Sequence, residues 1–503
     1  MSVTAEIENI LIVGGGTAGW MSAAALAKAT NCKITLIESE KIKPVGVGEA
    51  TLPSIHAFIS FLGLDEDEVL KNTKGTFKLG IEFSNWGKIG DKYHHSFGSY
   101  GPEGLDLAFW HFWNKARLLG IADPLQKYCF SEQLATANKF SRGTGAPNSP
   151  LNNINHGWHF DAGLFAGYLK QLSMEWGVKR VEGMVIGTSV DPNSGDLTKV
   201  QLDNGESLKA DFFVDCSGFK GLLIEETLET GYEDWSKYLP CDRAIAKKSE
   251  RVDPLTPYTK AIAQSCGWQW RIPLQHRTGN GIVYSSSFTE EEEAEKILME
   301  TIEEKVGTNS FKLKFTGGKR KKIWNKNCLS VGLASGFMEP LESTSIHLIQ
   351  ETISEFLRIF PRKNNYVTSR NRFNKLVDEK FFHIRDFLVL HYSATKRNDS
   401  GFWDYCRTME IPDSLKEKIE LWENSLYISR DNTNELFEEV SWLAVFNGQN
   451  ITSDFYSPVL DAHSKNDLEI MLNDTKNVID NCVRITPQHE DFVNMYCAFK
   501  GSM

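Results

Sequence analysis

Lys78 stands in the run Thr76-Phe77-Lys78-Leu79-Gly80-Ile81, where its neighbours Phe77, Leu79 and Ile81 are apolar. An ammonium drawn out of water by such flanks has a lowered pKa, so near neutral pH it shares protons or forms a covalent adduct. The competing reading is one more surface lysine. Glu342 lies in Glu339-Pro340-Leu341-Glu342-Ser343-Thr344-Ser345-Ile346, a turn leading into a helix that the spacing predicts through Ile346, Ile349 and Ile353. The backbone N–H groups of Thr344 and Ser345 then stand at a helix start, without intrahelical partners and at the positive end of the helix dipole. Glu342 in that position also reads as an acid stabilising the dipole, worth a few tenths to about 1 kcal/mol. Trp268 and Trp270, in Gly267-Trp268-Gln269-Trp270-Arg271-Ile272-Pro273, share one face of a predicted strand, either as core packing or as the wall of a site.

The elements that must carry these groups begin at the N-terminus. Ile10 to Val13 is a continuous apolar run, as a parallel strand covered on both faces requires, and Gly14-Gly15-Gly16-Thr17-Ala18-Gly19 follows at once. A helix begins there, and Lys33 to Glu38 reads as the second strand of a βαβ unit. Gly14 suits the tight turn, Gly16 the close approach of a pyrophosphate, and Gly19 the packing of helix on strand. The helix N-terminus turns its N–H groups to the phosphates, and Glu38 ends the second strand where a carboxylate reaches ribose hydroxyls. Strand, glycines, helix, strand and acid in this order indicate a bound dinucleotide. Further on, Asp161 to Trp176 reads as a helix capped by Asp161, with Leu164, Phe165, Tyr168, Leu169 and Leu172 on one face and Gly177 beyond it. Asp203-Asn204-Gly205 marks a hairpin turn, and the segment from Lys209 to Cys216 becomes a buried strand after a polar start. The dinucleotide domain is therefore discontinuous in sequence.

Taken together, these motifs resemble flavin-dependent halogenases of the tryptophan halogenase family. The resemblance rests on Trp268-x-Trp270-x-Ile272-Pro273, the N-terminal fingerprint, the Gly-rich segment Pro44-Val45-Gly46-Val47-Gly48-Glu49-Ala50-Thr51, Lys78, and the stretch from Val331 to Ile346. It implies an α/β chain: an FAD-binding Rossmann-like domain of the glutathione-reductase type, an inserted β-sheet and a mostly helical C-terminal lobe. It implies FAD rather than NAD, contacted by Gly14, Gly16, Thr17, Ala18, Gly19, Glu38, Ser39, Val47, Gly48, Glu49, Ala50, Val185, Leu333 and Ile346. Lys78 and Glu342 match the family's catalytic pair, and Ser343 is the neighbour of Glu342 in that motif. Thr344 and Ser345 match its halide-binding positions, where family members commonly carry glycine in place of Ser345. Trp268 and Trp270 match the aromatic wall that keeps the organic substrate from the isoalloxazine and so discourages direct hydroxylation. The implied reaction uses reduced FAD, O₂ and chloride, bromide or iodide to make hypohalous acid, which passes to Lys78 with Glu342 assisting. The alternative is a flavin-dependent aromatic monooxygenase.

Tyr93-His94-His95-Ser96-Phe97 resembles the segment with which tryptophan halogenases stack an indole, His95 and Phe97 having the matching spacing. The tyrosine pair that grips the amino acid's charged ends in tryptophan-specific members is not found around Ser425 to Val445, where only Tyr427 stands. An indole or other electron-rich aromatic, larger than free tryptophan or presented by a partner, is the expected substrate. No second nucleotide fingerprint is evident, so reduced FAD is expected from a separate flavin reductase.

Composition sets the outer limits. A chain of 503 residues that is 41% hydrophobic and 24% charged buries a large core and forms two or more lobes. We place a boundary near 355, dividing a discontinuous FAD-binding and halide/catalytic domain with its inserted sheet (1–355) from a mostly helical substrate-covering lobe (356–503), whose aromatics include Phe387, Trp403, Trp422 and Trp442. Nine cysteines without a Cys-x-x-Cys pair fit reduced thiols in a cytoplasmic protein, with neither a disulfide frame nor a metal site, and Cys216 is expected to be inert packing. A net charge of −11 argues against nucleic acid as a partner; Lys319 to Lys322 reads as a solvated strand start, and Glu290 to Glu293 as an acidic helical turn capped by Thr289. Neither a secretory signal nor a membrane-spanning run is evident, and the motifs leave a homodimer open.

Overall fold

The apolar run after Glu8 forms the strand Asn9–Val13, and the glycine segment turns it directly into the helix Thr17–Ala29. The strand Lys33–Glu38 then pairs parallel to Asn9–Val13, with Ile10 opposite Ile34 and Val13 opposite Ile37. The computed structural model describes residues 6–42, 48–104, 106–147, 149–152, 154–363, 365–430 and 435–499. Val47, expected against the flavin, lies outside the described residues, as do Pro44, Val45 and Gly46 of the same motif. The chain divides into two interleaved units: residues 1–75, 160–236 and 314–382, and residues 76–159, 237–313 and 383–503. Position 355 falls within the helix Thr344–Arg358 of the first unit.

The first unit is built on a six-stranded sheet in the order Trp324–Asn325, Cys328–Ser330, Phe212–Asp215, Asn9–Val13, Lys33–Glu38 and Lys179–Glu182. Its pairings are parallel except at the short edge strand Trp324–Asn325. Covered central strands explain why Leu11, Val13, Ile37 and Phe213 can all be buried without alternating polar residues. The expected hairpin forms between Leu197–Leu202 and Ser207–Lys209, with Gly205 at φ +86° in its turn. Asp161 caps the helix Ala162–Glu175 by accepting hydrogen bonds from the N–H groups of Gly163 and Leu164.

The second unit carries a seven-stranded sheet in the order Val306–Lys314, Arg243–Ser249, Thr278–Tyr284, Gly267–Pro273, Thr259–Gln264, Gly80–Ser84 and Lys92–Ser96. Its C-terminal part is helical, in Gly401–Thr408, Asp413–Ser425, Glu439–Gly448, Lys465–Ile485 and His489–Tyr496. The fold is thus α/β, with a Rossmann-like parallel sheet and a mostly helical C-terminal region. Among the described residues no helix is long and apolar enough to cross a membrane.

Three local expectations are corrected. Lys319 and Arg320 are not solvated: both are buried in the strand Gly318–Arg320, where Lys319 pairs with Asp378 at 2.7 Å and Glu233 at 3.4 Å, and Arg320 with Glu225 at 2.8 Å. Opposite charges from distant segments make that burial tolerable, and a window of four basic residues cannot reveal them. Leu164 is exposed, because the buried face of its helix runs through Ala162, Phe165, Ala166, Leu169 and Ser173. The acidic helix Glu291–Glu300 begins at Glu290 without a side-chain cap from Thr289.

Candidate active site

At the mouth of the parallel sheet the three fingerprint glycines do different work. Gly14 has φ +115°, and a β-carbon there would lie 2.2 Å from the Cys216 carbonyl oxygen. A β-carbon on Gly19 would lie 1.9 Å from the carbonyl oxygen of Gly14, so helix and turn touch through bare backbone. Gly16 has nothing within 4 Å of where its β-carbon would be. That open space lies at the start of Thr17–Ala29, whose N-cap makes no side-chain hydrogen bond, leaving the first-turn N–H groups for an incoming anion. The residues present therefore fit a dinucleotide pyrophosphate.

Glu38 reaches this end of the sheet. Its Oε1 accepts from Lys170 at 2.6 Å and Arg180 at 2.5 Å, and its Oε2 accepts from the Trp20 indole at 3.3 Å. Burial alone raises this carboxyl, but the bonds from Lys170 and Arg180 outweigh it and hold the group below its ordinary range. A carboxylate offers about four lone-pair positions, so an ionised Glu38 with three donors retains room for a hydroxyl. Ser39 follows it partly buried, and Gly48, Glu49 and Ala50 form the short strand Gly48–Ala50. Val185 opens the strand Val185–Val190, while Thr17 and Ala18 begin the fingerprint helix.

Asp215, which sequence reading passed over as part of a buried strand, organises the next turn. It is fully buried and accepts from the N–H groups of Ser217, Leu223 and Ile224 and from the Ser217 hydroxyl. An acid ending an otherwise apolar strand, directly before Cys-Ser-Gly, was the available signal. Cys216 beside it has its thiol pushed up by burial, so it stays protonated and inert as expected.

The motif from Val331 to Ile346 folds as two tight turns and a helix. Gly332 has φ +68°, and a β-carbon there would meet that of Ala18 at 2.7 Å, so this turn packs against the fingerprint helix. Leu333, partly buried, lies in the turn Gly332–Ala334. Pro340–Glu342 is a 3₁₀ turn, Ser343 stands in the left-handed region at φ 60°, ψ 34°, and Thr344–Arg358 is the helix. A left-handed serine costs about 1–2 kcal/mol, a strain that clusters at functional turns. The reversal leaves Glu342 fully buried, Ser343 and Ile346 buried, Ser345 partly buried, and Thr344 fully buried at the first helical position. Among the described residues the Thr344 hydroxyl has no hydrogen-bond partner. An orphaned hydroxyl at the positive end of a 15-residue helix suits a small anion.

In the second unit Lys78 ends the strand Thr76–Lys78 and is fully buried. Its ammonium lies 5.1 Å from the centroid of the Phe97 ring, within range of a cation–π contact. The Leu79 carbonyl accepts from the Phe97 N–H at 2.8 Å, fixing that ring to the lysine segment. His95 is buried edge-on to Phe97, with centroids 6.5 Å apart, and also meets Phe387 at 5.6 Å and Phe437 at 6.0 Å. Phe387, an aromatic of the lobe expected to cover the substrate, and Phe437, for which the sequence carried no signal, are stacked at 3.9 Å beside His95. Trp268 and Trp270 are buried on Gly267–Pro273 with ring centroids 6.1 Å apart. Gly281, opposite Trp270 on the neighbouring strand, makes room for that indole: a β-carbon there would lie 2.0 Å from the ring.

A parallel Rossmann-like sheet ending in an open glycine turn, with the Gly332 turn packed on its fingerprint helix, defines a dinucleotide-binding domain. Residues 9–465 match the tryptophan halogenase family model. Tryptophan 7-halogenase RebH of Lentzea aerocolonigenes is 35% identical over 451 residues, 85% of this chain and 84% of the relative. Among solved structures, a flavin-dependent halogenase from Xanthomonas campestris superposes with a TM-score of 0.95 at 41% identity, covering 99% of this chain and 100% of that one. A flavin-dependent halogenase from Brevundimonas sp. BAL3 superposes at 0.94 with 39% identity, covering 97% and 99%. The chain belongs to the tryptophan halogenase family and is a flavin-dependent halogenase.

Proposed function

We propose that this enzyme halogenates an electron-rich aromatic such as an indole, with Lys78 delivering the electrophile and Glu342 assisting. The observation that carries this reading is the fully buried Lys78 ammonium held over Phe97, whose ring meets the edge of His95. Bound reduced FAD supplies the two-electron chemistry with O₂ by which a halide becomes hypohalous acid. The remaining steps belong to the chain's own groups. Gly14, Gly16, Thr17, Ala18 and Gly19 hold the pyrophosphate through backbone amides, and Glu38 takes a ribose hydroxyl. The Thr344 hydroxyl and the N–H groups of Thr344 and Ser345 hold the halide at the helix start. Lys78 receives hypohalous acid and presents its halogen either by hydrogen bonding from the ammonium or, after losing a proton, as a haloamine, the neutral amine forming the N–X bond as the O–X bond breaks and water leaves. Glu342 orients it or takes the proton released when the substituted ring regains aromaticity. Trp268 and Trp270 keep the substrate from the flavin, which suppresses hydroxylation.

The aromatic surround of His95 and the lack of a tyrosine pair around Tyr427 favour an apolar indole larger than free tryptophan, or one presented by a partner. Tyr427 itself is 57% exposed. A separate flavin reductase supplies reduced FAD. Mass spectrometry of products from a panel of indoles and phenols, with FAD, NADH, a flavin reductase and either chloride, bromide or iodide, tests the reading. Halogen mass shifts that follow the halide supplied are expected; oxygenated, halogen-free products contradict it.

A further inference from the structure

We propose that His159 and His489 are positioning residues for Lys78, gripping the strand Thr76–Lys78 through its Thr76 hydroxyl and its Phe77 backbone N–H. This rests on the reading of Lys78 given above. Thr76 and Lys78 project to one face of the short strand, and Phe77 to the other, by the two-residue alternation of β-structure. Thr76 pairs across the strand with His159, and Lys78 with Gly157, so His159 shares the lysine's face one diagonal step away.

The hydrogen bonds assign the proton on each ring. The Thr76 hydroxyl donates its single proton to the Pro273 carbonyl at 2.8 Å, so its oxygen is left to accept from His159 Nδ1 at 2.9 Å. His159 Nε2 lies 3.0 Å from the Thr259 hydroxyl and accepts from it when the ring is neutral. The chain Thr259, His159, Thr76, Pro273 thus ties the lysine strand to the last residue of the strand bearing Trp268 and Trp270. On the other side, His489 Nδ1 donates to the Leu255 carbonyl at 3.1 Å, and its Nε2 accepts from the Phe77 N–H at 3.3 Å. The Phe77 ring stacks on Phe140 at 4.2 Å, and both rings meet Phe492 edge-on. The His489 grip needs a neutral imidazole, because its bare Nε2 must accept the Phe77 N–H; the His159 grip needs a proton on Nδ1.

The surroundings enforce that state. Burial, then the charges of Lys78 and His489, hold His159 well below its ordinary pKa. Burial lowers His489 to about 4, against smaller opposing effects of its bond to Leu255 and of Glu490. A neutral His159 is also the form that adds no second cation beside the Lys78 ammonium.

The test uses the full-length enzyme with FAD, a flavin reductase, bromide and indole as the probe. His159→Phe is expected to lower kcat by about tenfold to about a hundredfold with KM nearly unchanged, the size of effect a shift of about 1 Å in a reacting group produces. His159→Asn, whose amide N–H replaces Nδ1–H, restores kcat to within about threefold of wild type, and Thr76→Val, which cannot relay the bond, behaves like His159→Phe whether or not the latter folds. Equal activity of His159→Phe and wild type, equal impairment of His159→Asn and His159→Phe, or full activity of Thr76→Val would each overturn the proposal. Lys78→Ala in parallel separates the two levels: retained halogenation there removes the reading of Lys78, whereas its loss beside an unaffected Thr76→Val removes only the positioning role. Independently of turnover, ¹⁵N-histidine spectra, assigned with the His159→Asn and His489→Gln variants, should show two neutral Nδ1–H rings unchanged between about pH 8 and about pH 5. Titration of both near the ordinary midpoint of about 6.5 would contradict it.

Discussion

The proposed dinucleotide site in the first unit is built from backbone amides, while the proposed lysine site in the second is built from side chains. At Gly14, Gly16 and Gly19 what matters is the absence of a β-carbon, and all three positions lie within six residues of sequence. Around the lysine strand the groups come from Phe97, His159, Thr259, Pro273 and His489, spread over most of the chain. Backbone sites are dictated by local conformation, which one segment encodes; side-chain sites require the tertiary fold to bring remote residues to one place. The first kind is therefore sensitive to single methyl groups, and the second to the hydrogen bonds that hold each piece in register.

The largest effect is expected where the backbone has no slack. Gly14→Ala puts a β-carbon into the Cys216 carbonyl at a positive φ, and should destabilise the enzyme by roughly 2–4 kcal/mol in chemical denaturation, with loss of FAD retention. Gly16→Ala meets nothing within 4 Å, so stability should stay within about 1 kcal/mol of wild type while FAD affinity, titrated by flavin fluorescence, falls at least about tenfold. Equal effects of the two substitutions on stability would erase the distinction between turn geometry and ligand approach.

The lysine end is expected to show its dependence on side chains through pH. His489 has a folded pKa of about 4, below the ordinary value of about 6.5, so its contribution is fully present above pH ~6.5 and is lost as pH falls towards ~4. Unfolding free energy should decline across that window by up to about 3 kcal/mol from this residue, and His489→Gln should flatten the decline. A slope identical in the variant would remove His489 from the account. The smallest effect is local: Asp161→Ala deletes the bonds to Gly163 and Leu164 and should lower stability by about 1 kcal/mol without changing halide preference, measurable by urea unfolding and product analysis.

This contrast also explains what the residues disclosed before folding. The βαβ unit, the Asp161 cap, the hairpin at Gly205 and the turn ahead of Thr344 were legible because each depends on contiguous residues. Lys78 stood out through its match to the family's lysine, its apolar flanks making only partial burial plausible, whereas His159 and His489 looked like any other histidines, since nothing near them in sequence names Thr76 or Phe77. Lys319 and Arg320 misled for the same reason, their acidic partners lying at Glu225, Glu233 and Asp378. Phe387 read as an aromatic of the C-terminal lobe with no particular partner, and Phe437 carried no signal, until the fold set both against His95.

In the proposed reaction Lys78 carries the halogen to the substrate and takes no part in forming hypohalous acid. Comparing Lys78→Ala with wild type in bromide, FAD and a flavin reductase separates the two steps, with brominated indole read by mass spectrometry and free hypobromous acid with a reporter. The variant should continue to make hypobromous acid while brominated indole falls to background. Brominated indole at wild-type yield from Lys78→Ala, or the loss of both products together, would contradict this role of Lys78.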